Sequence, residues 1–470
     1  MRTNGSGVTN QQINPGHIGI HGQSARQNNV SKSTSSSHSP QTCCGYSQSH
    51  QTQLLESVAA AKNTNIITNI MDQSDCAVRT NDAVPEEIRQ KGYQFCREFL
   101  GGVWCQIDPS AIDIRPVCGG LSNLLYLCSL PDDVSPRNGE PRRALLRIYG
   151  QLLQECMDTV VVDSVIFALL SEKRLGPKLY GVFPGGRVEE YIPSRSLTTK
   201  ELQDPDISGY IARIMRNFHS LDMPLSKEPR WIFDLTDKWI KECREFTPEN
   251  RAKNLQQTSS NRVQRPTTEQ YVKLMSYNYE EEFEWLRQTL LLVKSPVVFC
   301  HNDFQEGNIL YLPGTDGNSD FELMPIDFEY CGYNYRGCEI GNHFCEWLFD
   351  YNTTGANNKS FLFNPNWFPS RQQQVHFVKE YLKANRGSNC ADPGDEEIEN
   401  ILVEANTFGL ASHFMWVLWS LIQYNISSIE FDYLEYAEVR LDCYYQLKNN
   451  LPILRNQEGA YGKNGGETDD

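Results

Sequence analysis

The sequence lacks several features that would place it outside the ordinary globular enzymes. It has no run of about 18 consecutive apolar residues, the length that a membrane-spanning helix requires. It has no basic segment followed by an apolar one at its start, so we expect no secretory signal and a cytoplasmic location. Its 15 cysteines are scattered and include no C-x-x-C pair. That spacing predicts free thiols rather than a disulfide framework or a zinc site.

An excess of positive charge is also missing. The 470 residues carry a net charge of −16, whereas nucleic acids and anionic membrane surfaces require a basic face. We therefore expect no nucleic-acid partner and no stable membrane insertion. The acidity belongs almost wholly to the chain after residue 84, which suits a cationic ligand or a divalent metal but is also common among soluble enzymes.

Composition divides the chain into four parts. Residues 1–84 are rich in Ser, Gln, Asn, Gly and His, and such a segment buries too little apolar surface to offset its ordering entropy, so we expect it to be disordered. Strand patterns prevail in residues 85–193 and helical patterns in residues 194–455, while residues 456–470 form a Gly- and acid-rich flexible tail. This order predicts an α+β chain of two lobes.

Hydrophobic periodicity places the elements within these lobes. A helix is expected to begin near Pro85, with acids in its first turn. In the first lobe the patterns predict strands over 124–128, 144–149, 178–183 and 186–192, and a helix over 157–175. In the second lobe they predict helices over 207–220, 231–244, 267–290, 395–425 and 431–447.

The chemistry is concentrated in HNDFQEGNILYL, residues 301–312, followed by MPIDFEY, residues 324–330. A carboxylate such as Asp303 can orient a substrate hydroxyl and accept its proton, while Asn308 and Asp327 supply the hard oxygen ligands that Mg²⁺ prefers. The spacing D-x-x-x-x-N, then a hairpin, then D-F is the one that protein kinases use. The plainer alternative is a polar turn capped by Asp303, with Asp327 ending a strand.

Two further features precede this motif. Gly119 and Gly120 lie between predicted strands, where they favour either a phosphate-binding loop or an ordinary hairpin turn. Arg147 interrupts an apolar strand pattern, and a buried arginine requires a partner. A nucleotide phosphate or Asp163 on the next helix would serve, unless the strand is at an edge and Arg147 faces water. These elements follow one another along the chain in the same order as in protein kinases. Together they favour the phosphotransferase interpretation.

The chain resembles the choline/ethanolamine kinase family, and its choline kinase branch in particular. The resemblance spans residues 85–450 and rests on the two motifs above together with LGPKLYGVFPGGRVEEYIPSR, GYNYRGCEIGNHFCEW and ISSIEF. It implies a protein-kinase-like fold with a small β-rich N-lobe, a facing helix and a larger helical C-lobe. It also implies ATP and Mg²⁺ as cofactors and transfer of the γ-phosphoryl group to choline, giving phosphocholine. This is the first step of phosphatidylcholine synthesis by the CDP-choline route, in a cytoplasmic homodimer that also accepts ethanolamine.

The resemblance also implies residue roles. The catalytic loop would supply Asp303, Asn308 and Gln305, with Asn308 and Asp327 as metal ligands. ATP would be bound by Gly119, Gly120, Leu121, Ser122, Asn123, Arg147, Asp327 and a hinge formed by Glu189, Glu190, Tyr191 and Ile192. The substrate would be bound by Glu346, Tyr351, Trp416, Trp419, Tyr436 and Tyr330. His301 and His343 are expected to hold the loop by hydrogen bonds.

Three positions depart from the family pattern: Cys118 replaces a serine, Asp163 replaces a glutamate, and Pro325 removes a backbone donor from a strand. Two alternatives also stay open on function. The acceptor could be ethanolamine or another amino alcohol or aminoglycoside, and the protein could be a non-catalytic binder of kinase fold. The Trp416–Trp419 pair, three residues apart on a helix, also allows plain core packing.

Overall fold

The structure is a computed structural model, and it describes residues 84–117, 123–149, 157–250, 265–313, 321–352, 359–384, 392–427 and 429–451. The segment expected to be disordered, apart from Val84, and the flexible tail lie outside the described residues. So do Cys118 and the predicted phosphate-loop residues Gly119, Gly120, Leu121 and Ser122.

The N-terminal region is an antiparallel sheet of five strands in the order β1-β2-β3-β5-β4. The strands are β1 Asp113–Val117, β2 Asn123–Ser129, β3 Arg143–Tyr149, β4 Leu179–Phe183 and β5 Gly186–Glu190. Helix α1, Glu86–Leu100, begins after Pro85 as predicted, and helix α2, Met157–Glu172, follows β3.

Strand β3 explains how this sheet positions charge. Side chains alternate between the two faces of a strand, so Ala144, Leu146 and Ile148 lie in the apolar core on one face. Arg147 therefore lies on the opposite face, directly beside Arg187 of β5, its partner in the strand register. Glu189, two residues further along β5, lies on that same face.

The C-terminal region is mainly helical. Its helices are α3 Thr199–Leu202, α4 Pro205–His219, α5 Trp231–Glu245, α6 Glu269–Met275, α7 Tyr279–Leu291, α8 Arg336–Glu346, α9 Arg371–Lys383, α10 Asp395–Ile426 and α11 Tyr433–Asn450. Short antiparallel pairings join β6 Arg195–Ser196, β8 Ile309–Pro313 and β9 Phe321–Pro325, then β7 Val297–Cys300 with β10 Gly332–Tyr335, and β11 Phe349–Asp350 with β12 Leu362–Phe363.

Helix α8 carries much of the site and packs closely on α10. A Cβ atom added at Gly341 would collide with the Ala405 carbonyl oxygen, and one at Gly337 would collide with the Phe408 ring. Glycine therefore allows the two helix backbones to approach each other. The sequence prediction missed α8, because glycine weakens helix propensity, and it also missed α9.

Helix α10 is long and apolar enough to cross a membrane by length and composition alone, but 83% of its most apolar window is buried inside the protein. Its burial against α8 and α11 is that of a central core helix. The β-rich first region and helical second region confirm the predicted α+β, kinase-like fold class.

Candidate active site

The segment between β7 and β8 is a tightly fixed loop. Asn302 has a left-handed backbone with φ of 66°, which is strained for a side chain other than glycine. Three hydrogen bonds offset that strain. The Asn302 backbone N–H donates to Glu339 at 2.6 Å, its side-chain amide donates to the Tyr330 carbonyl at 2.9 Å, and its side-chain oxygen accepts from Asn334 at 2.8 Å. The turn that presents Asp303 is therefore fixed from several sides.

Two buried histidines hold the same loop. His301 Nε2 donates to the Ile326 carbonyl at 2.9 Å, and His343 Nδ1 donates to the Phe304 carbonyl at 2.8 Å. Burial lowers the pKa of His301, and it lowers the pKa of His343 to about 4. Both rings are therefore neutral near pH 7 and act as structural hydrogen-bonding groups, as predicted.

Asp303 and Asn308 face each other across the loop. The Asn308 amide nitrogen donates to Asp303 Oδ2 at 2.7 Å and to the Asp303 carbonyl at 3.0 Å. Burial, followed by the negative charges of Glu346 and Asp327, raises the pKa of Asp303 well above its usual value. A carboxylate with a raised pKa is a stronger proton acceptor, which suits a general base.

Gln305 shapes the loop from within. Its Oε1 accepts a hydrogen bond from the Gly307 N–H at 2.6 Å, and its carbonyl accepts one from Asn308 N–H at 3.1 Å. These bonds cap the short 3₁₀ turn Glu306–Asn308. The resemblance implies that Gln305 supports either the phosphates or the catalytic loop; these bonds are compatible with the second role, and both stay predictions.

Arg147 reaches from the sheet toward the second acid. It is 4% exposed, so the alternative of an edge arginine facing water is wrong. Its guanidinium lies 3.3 Å from Glu189 Oε1 and 3.3 Å from Asp327 Oδ1. Desolvation opposes the charge of Arg147, but the nearby Glu189 and Asp327 carboxylates keep its pKa raised.

Of the two partners considered for Arg147, Asp163 was wrong, and a nucleotide phosphate stays a prediction. Asp163 on α2 pairs with Arg187 at 2.6 Å, and Arg187 also pairs with Glu189 at 2.6 Å. The strand register places Arg187 beside Arg147 on one face of the sheet. Each of these buried cations requires an acid to balance its charge. Two arginines and two acids therefore form a buried network, and this network extends to Asp327.

The predicted hinge residues divide into two groups. The Glu189 side chain is committed to the arginines, whereas the half-buried Glu190 accepts from the Lys178 N–H at 2.9 Å. The guanidinium of Arg143 lies over the Tyr191 ring at 5.7 Å. Contact of the segment 189–192 with adenine stays a prediction, and the side chain of Glu189 is not free to make it.

Asn123, the described residue of the predicted phosphate loop, connects the sheet to the second motif. Its side-chain nitrogen lies 3.4 Å from Glu329 Oε2.

Pro325 is the last residue of β9, an edge strand of its sheet. A missing backbone donor is tolerated at such a position.

The predicted substrate residues converge beside the loop. Their aromatic rings form a continuous set of edge contacts: Tyr330 with Trp416 at 5.9 Å, Trp416 with Trp419 at 5.5 Å, and Trp419 with Tyr436 at 6.4 Å between centroids. Both tryptophans are half-buried and pack against a hydrophobic cluster, so plain core packing stays open beside the predicted substrate role. The Tyr330 backbone carbonyl accepts a hydrogen bond from the Asn302 side-chain amide, which connects Tyr330 to the loop that carries Asp303.

The polar members of the set share one hydrogen-bond network. The Tyr351 hydroxyl donates to Glu346 Oε2 at 2.9 Å and lies 2.9 Å from the Tyr436 hydroxyl. The structure therefore brings together a buried acid and several half-buried aromatic rings, and the charge of that acid acts on Asp303. Such an arrangement attracts an organic cation.

Two buried residues of the site were missed by sequence reasoning. Arg440 on α11 pairs with Glu346, and its only sequence signal is an arginine on an otherwise apolar helix face. Glu306 is fully buried, with Oε1 3.1 Å from the Thr199 hydroxyl. Burial and the charge of Glu346 raise the pKa of Glu306 to about 8.

The oxygens of Asn308 and Asp327 fit a magnesium ion. Asn308 uses its amide nitrogen to bind Asp303, so its oxygen is directed elsewhere, and among the residues that the structure describes no hydrogen bond is made to it. Asp327 Oδ1 accepts a hydrogen bond from the Arg147 guanidinium. A carboxylate and an amide oxygen are hard ligands of the kind that Mg²⁺ prefers, with water and phosphate completing its coordination.

This combination of a two-lobe fold, a buried arginine and a D-x-x-x-x-N loop defines a kinase-like phosphotransferase with a small-molecule acceptor site. Residues 114–445 match the choline/ethanolamine kinase family. The chain is 44% identical over 376 residues to a choline/ethanolamine kinase of Homo sapiens, covering 79% of this chain and 89% of that one. It is 43% identical over 394 residues to choline kinase alpha of Mus musculus, covering 79% and 83%. The chain belongs to the choline/ethanolamine kinase family.

A solved structure supports the same conclusion at the level of the fold. A choline kinase from Cryptosporidium parvum is 27% identical and superposes with a TM-score of 0.61, covering 78% of this chain and 96% of that one. An ethanolamine kinase from Plasmodium vivax, 19% identical, has a TM-score of 0.54 over 80% of this chain and 97% of that one.

Proposed function

We propose that this protein is an ATP-dependent choline kinase that also accepts ethanolamine. It transfers the γ-phosphoryl group of ATP to the hydroxyl of choline and forms phosphocholine, the first intermediate of the CDP-choline route. It acts in the cytoplasm as a homodimer. The observation that carries the proposal is the set of half-buried aromatic rings Tyr330, Trp416 and Trp419 beside the loop that presents Asp303.

The pocket fits the substrate's chemistry. A trimethylammonium group has no hydrogen-bond donor and is held by aromatic faces through cation–π attraction, with acids adding attraction at longer range. Tyr330, Trp416, Trp419 and Tyr436 provide those faces. The hydroxyl of choline, two carbons from the nitrogen, then extends toward Asp303.

Asp303 acts as the general base. Its carboxylate orients the hydroxyl and accepts its proton as the oxygen bonds to the γ-phosphorus, while the bond from that phosphorus to the bridging oxygen of ADP breaks. The Asn308 amide holds the Asp303 carboxylate in place through the 2.7 Å hydrogen bond. Phosphoryl transfer depends mainly on this kind of positioning and on charge stabilisation.

The ATP phosphates are held by Arg147 from the sheet and by the loop Gly119–Asn123. The salt bridge between Arg147 and Asp327 supports this role, because it puts the guanidinium beside one of the proposed metal ligands. Asn308 and Asp327 would hold Mg²⁺, which when bound would neutralise charge on the phosphates. The adenine lies beside residues 189–192.

The test is a side-by-side assay of choline and ethanolamine with the full chain, ATP and Mg²⁺. We expect ATP-dependent formation of phosphocholine with a higher kcat/KM than formation of phosphoethanolamine. A higher kcat/KM for ethanolamine would retain the kinase and reject the proposed substrate. Turnover of neither compound, with ATP still bound, would favour a non-catalytic binder.

A further inference from the structure

Arg440 contacts several of the residues proposed to bind the substrate, and no role in the proposed reaction has yet been given to it. Its side chain is fully buried on α11 and pairs with Glu346 Oε1. It donates to the Tyr436 hydroxyl at 2.6 Å and lies 3.3 Å from the Tyr351 hydroxyl. Its guanidinium lies over the Phe349 ring at 4.0 Å. Three of the predicted substrate residues therefore share one buried cation.

The environment of Arg440 fixes the charge at this end of the pocket. His413 Nδ1 lies 3.4 Å from Arg440 Nη1, and burial together with the Arg440 charge lowers the pKa of His413 well below its usual value. His413 is therefore neutral, and the carboxylate of Glu346 is the negative partner of the arginine. The pair carries no net charge, although it contains an acid.

Both oxygens of Glu346 are already engaged. Oε1 accepts from Arg440 and Oε2 accepts from the Tyr351 hydroxyl at 2.9 Å. A primary ammonium gains most from an acceptor that it can bind directly with N–H groups. A trimethylammonium cannot donate such bonds and loses nothing when the acceptor is occupied. Each oxygen keeps a second lone pair, but the charge of the carboxylate is offset by Arg440, so it is a weaker acceptor for an ammonium N–H than an unpaired carboxylate and favours the smaller cation less.

We propose that Arg440 is a specificity-determining residue, which favours choline over ethanolamine by holding the Glu346 carboxylate in an ion pair. This inference rests on the proposed function and adds the source of its substrate preference. Arg440 acts through Glu346, Tyr351 and Tyr436, so it is a positioning residue and not a catalytic one.

The test compares Arg440→Gln with the wild-type protein on both substrates. The variant retains a donor for the tyrosine hydroxyls but removes the charge, so Glu346 becomes available to an ammonium. We expect the ratio of kcat/KM for choline to that for ethanolamine to fall about tenfold, with Arg440→Lys restoring most of the ratio. An equal loss on both substrates would overturn the proposal.

Arg336→Gln is the matched control. Arg336 also pairs with a buried glutamate, Glu404 at 2.5 Å, but Arg336 itself is half-buried and is not among the residues proposed to bind the substrate. Its loss should lower stability and leave the substrate ratio unchanged. A shift of the ratio in Arg336→Gln equal to that in Arg440→Gln would mean that general destabilisation, rather than the pocket charge, sets the preference.

If Arg440→Gln does not fold, Tyr351→Phe decides the question, because it frees only Glu346 Oε2. A smaller shift of the ratio toward ethanolamine supports the proposal, and an unchanged ratio overturns it. Equilibrium binding of each substrate, followed by the fluorescence of Trp416 and Trp419 without ATP, gives the same ratio independently of turnover. The wild-type protein could bind choline more tightly than ethanolamine and yet phosphorylate neither. That result would reject the proposed function, and the effect of Arg440→Gln on the ratio of the two binding affinities would still test the role of Arg440.

Discussion

Arg147 Nη1 and Asp327 Oδ1 lie 3.3 Å apart, which connects the N-terminal sheet directly to the acid after strand β9. The Asp327 side chain is 22% exposed and that of Arg147 is 5% exposed, so the pair is open to solvent from the Asp327 side. Asp327 has a left-handed backbone with φ of 66°. A strained backbone that is held by a salt bridge indicates that the position of this carboxylate matters. The groups proposed to hold phosphate and metal are thus arranged next to each other.

Replacement of Arg147 by Met should weaken ATP binding specifically. The variant loses the cation on the phosphates and leaves Glu189 paired with Arg187 alone, so we expect the KM for ATP to rise by about ten- to a hundredfold. The KM for choline should change little. Initial rates at varied ATP measure this, with Arg115→Met, an exposed arginine on the same sheet, as the control. An unchanged KM for ATP would reject the phosphate role of Arg147.

Replacement of Trp416 by Leu should raise the KM for choline by about tenfold, because one cation–π face is lost. The indole also donates to Asn342 Oδ1 at 2.9 Å, which fixes the orientation of the ring. Trp285→Leu is the control, since Trp285 also faces a cation, Lys448 Nζ at 3.6 Å, but is not in the pocket. If both variants affected the KM for choline equally, the aromatic pocket would be misassigned.

The buried Asp163–Arg187 pair should contribute strongly to stability. Asp163→Asn leaves Arg187 with one acid fewer in a buried site, and breaking such a pair costs about 3–5 kcal/mol. The exposed Arg244–Glu280 pair should contribute less than about 1 kcal/mol, so Glu280→Gln is the comparison. Chemical denaturation of both variants gives the two free energies of unfolding. Similar losses would contradict the structural role assigned to Asp163.

Glu306 should make stability depend on pH. Its pKa is about 8 in the folded protein against 4.5 ordinarily, so the folded state binds this proton more tightly than the unfolded state does. The stabilisation is complete below pH 4.5 and is lost as the pH rises through 8. A hydroxyl has one hydrogen, so protonated Glu306 can donate to Thr199 while Thr199 donates to the Phe349 carbonyl at 2.9 Å.

Glu306→Gln retains that hydrogen bond without a titratable group. From pH 6 to pH 8.5, the wild-type protein should therefore lose up to about 3 kcal/mol relative to the variant. Thermal unfolding of both proteins at the two pH values measures the difference. A constant difference in Tm would show that Glu306 is not protonated in the folded state.

Local patterns in the sequence were sufficient to predict much of the fold. The apolar pattern over 144–149 predicted β3 with Arg147 within it, and the helix predicted over 157–175 is observed as α2, Met157–Glu172. Helix α8 was missed because its stability depends on close packing of Gly337 and Gly341 against α10, which a local pattern does not contain. The predicted helix over 267–290 is interrupted after Met275, where Asn278 caps the next helix.

The site was predicted where its residues follow a motif and missed where they depend on tertiary contacts. Asp303, Asn308 and Asp327 form a recognisable pattern in the sequence. The partners of charged residues do not, because strand register rather than sequence distance decides that Asp163 faces Arg187. Arg440 and Glu306 acquire their importance only from burial beside Glu346, and the resemblance to a family did not identify either residue.

The most direct test of the account is the turnover of Asp303→Asn, which preserves the size of the side chain but removes the proton acceptor. The account predicts that formation of phosphocholine falls by at least about a hundredfold. ATP binding, and quenching of Trp416 and Trp419 fluorescence by choline, should stay within about twofold of the wild-type values. A variant that binds both substrates and forms phosphocholine at a rate near that of the wild type would contradict the assignment of Asp303 as the general base.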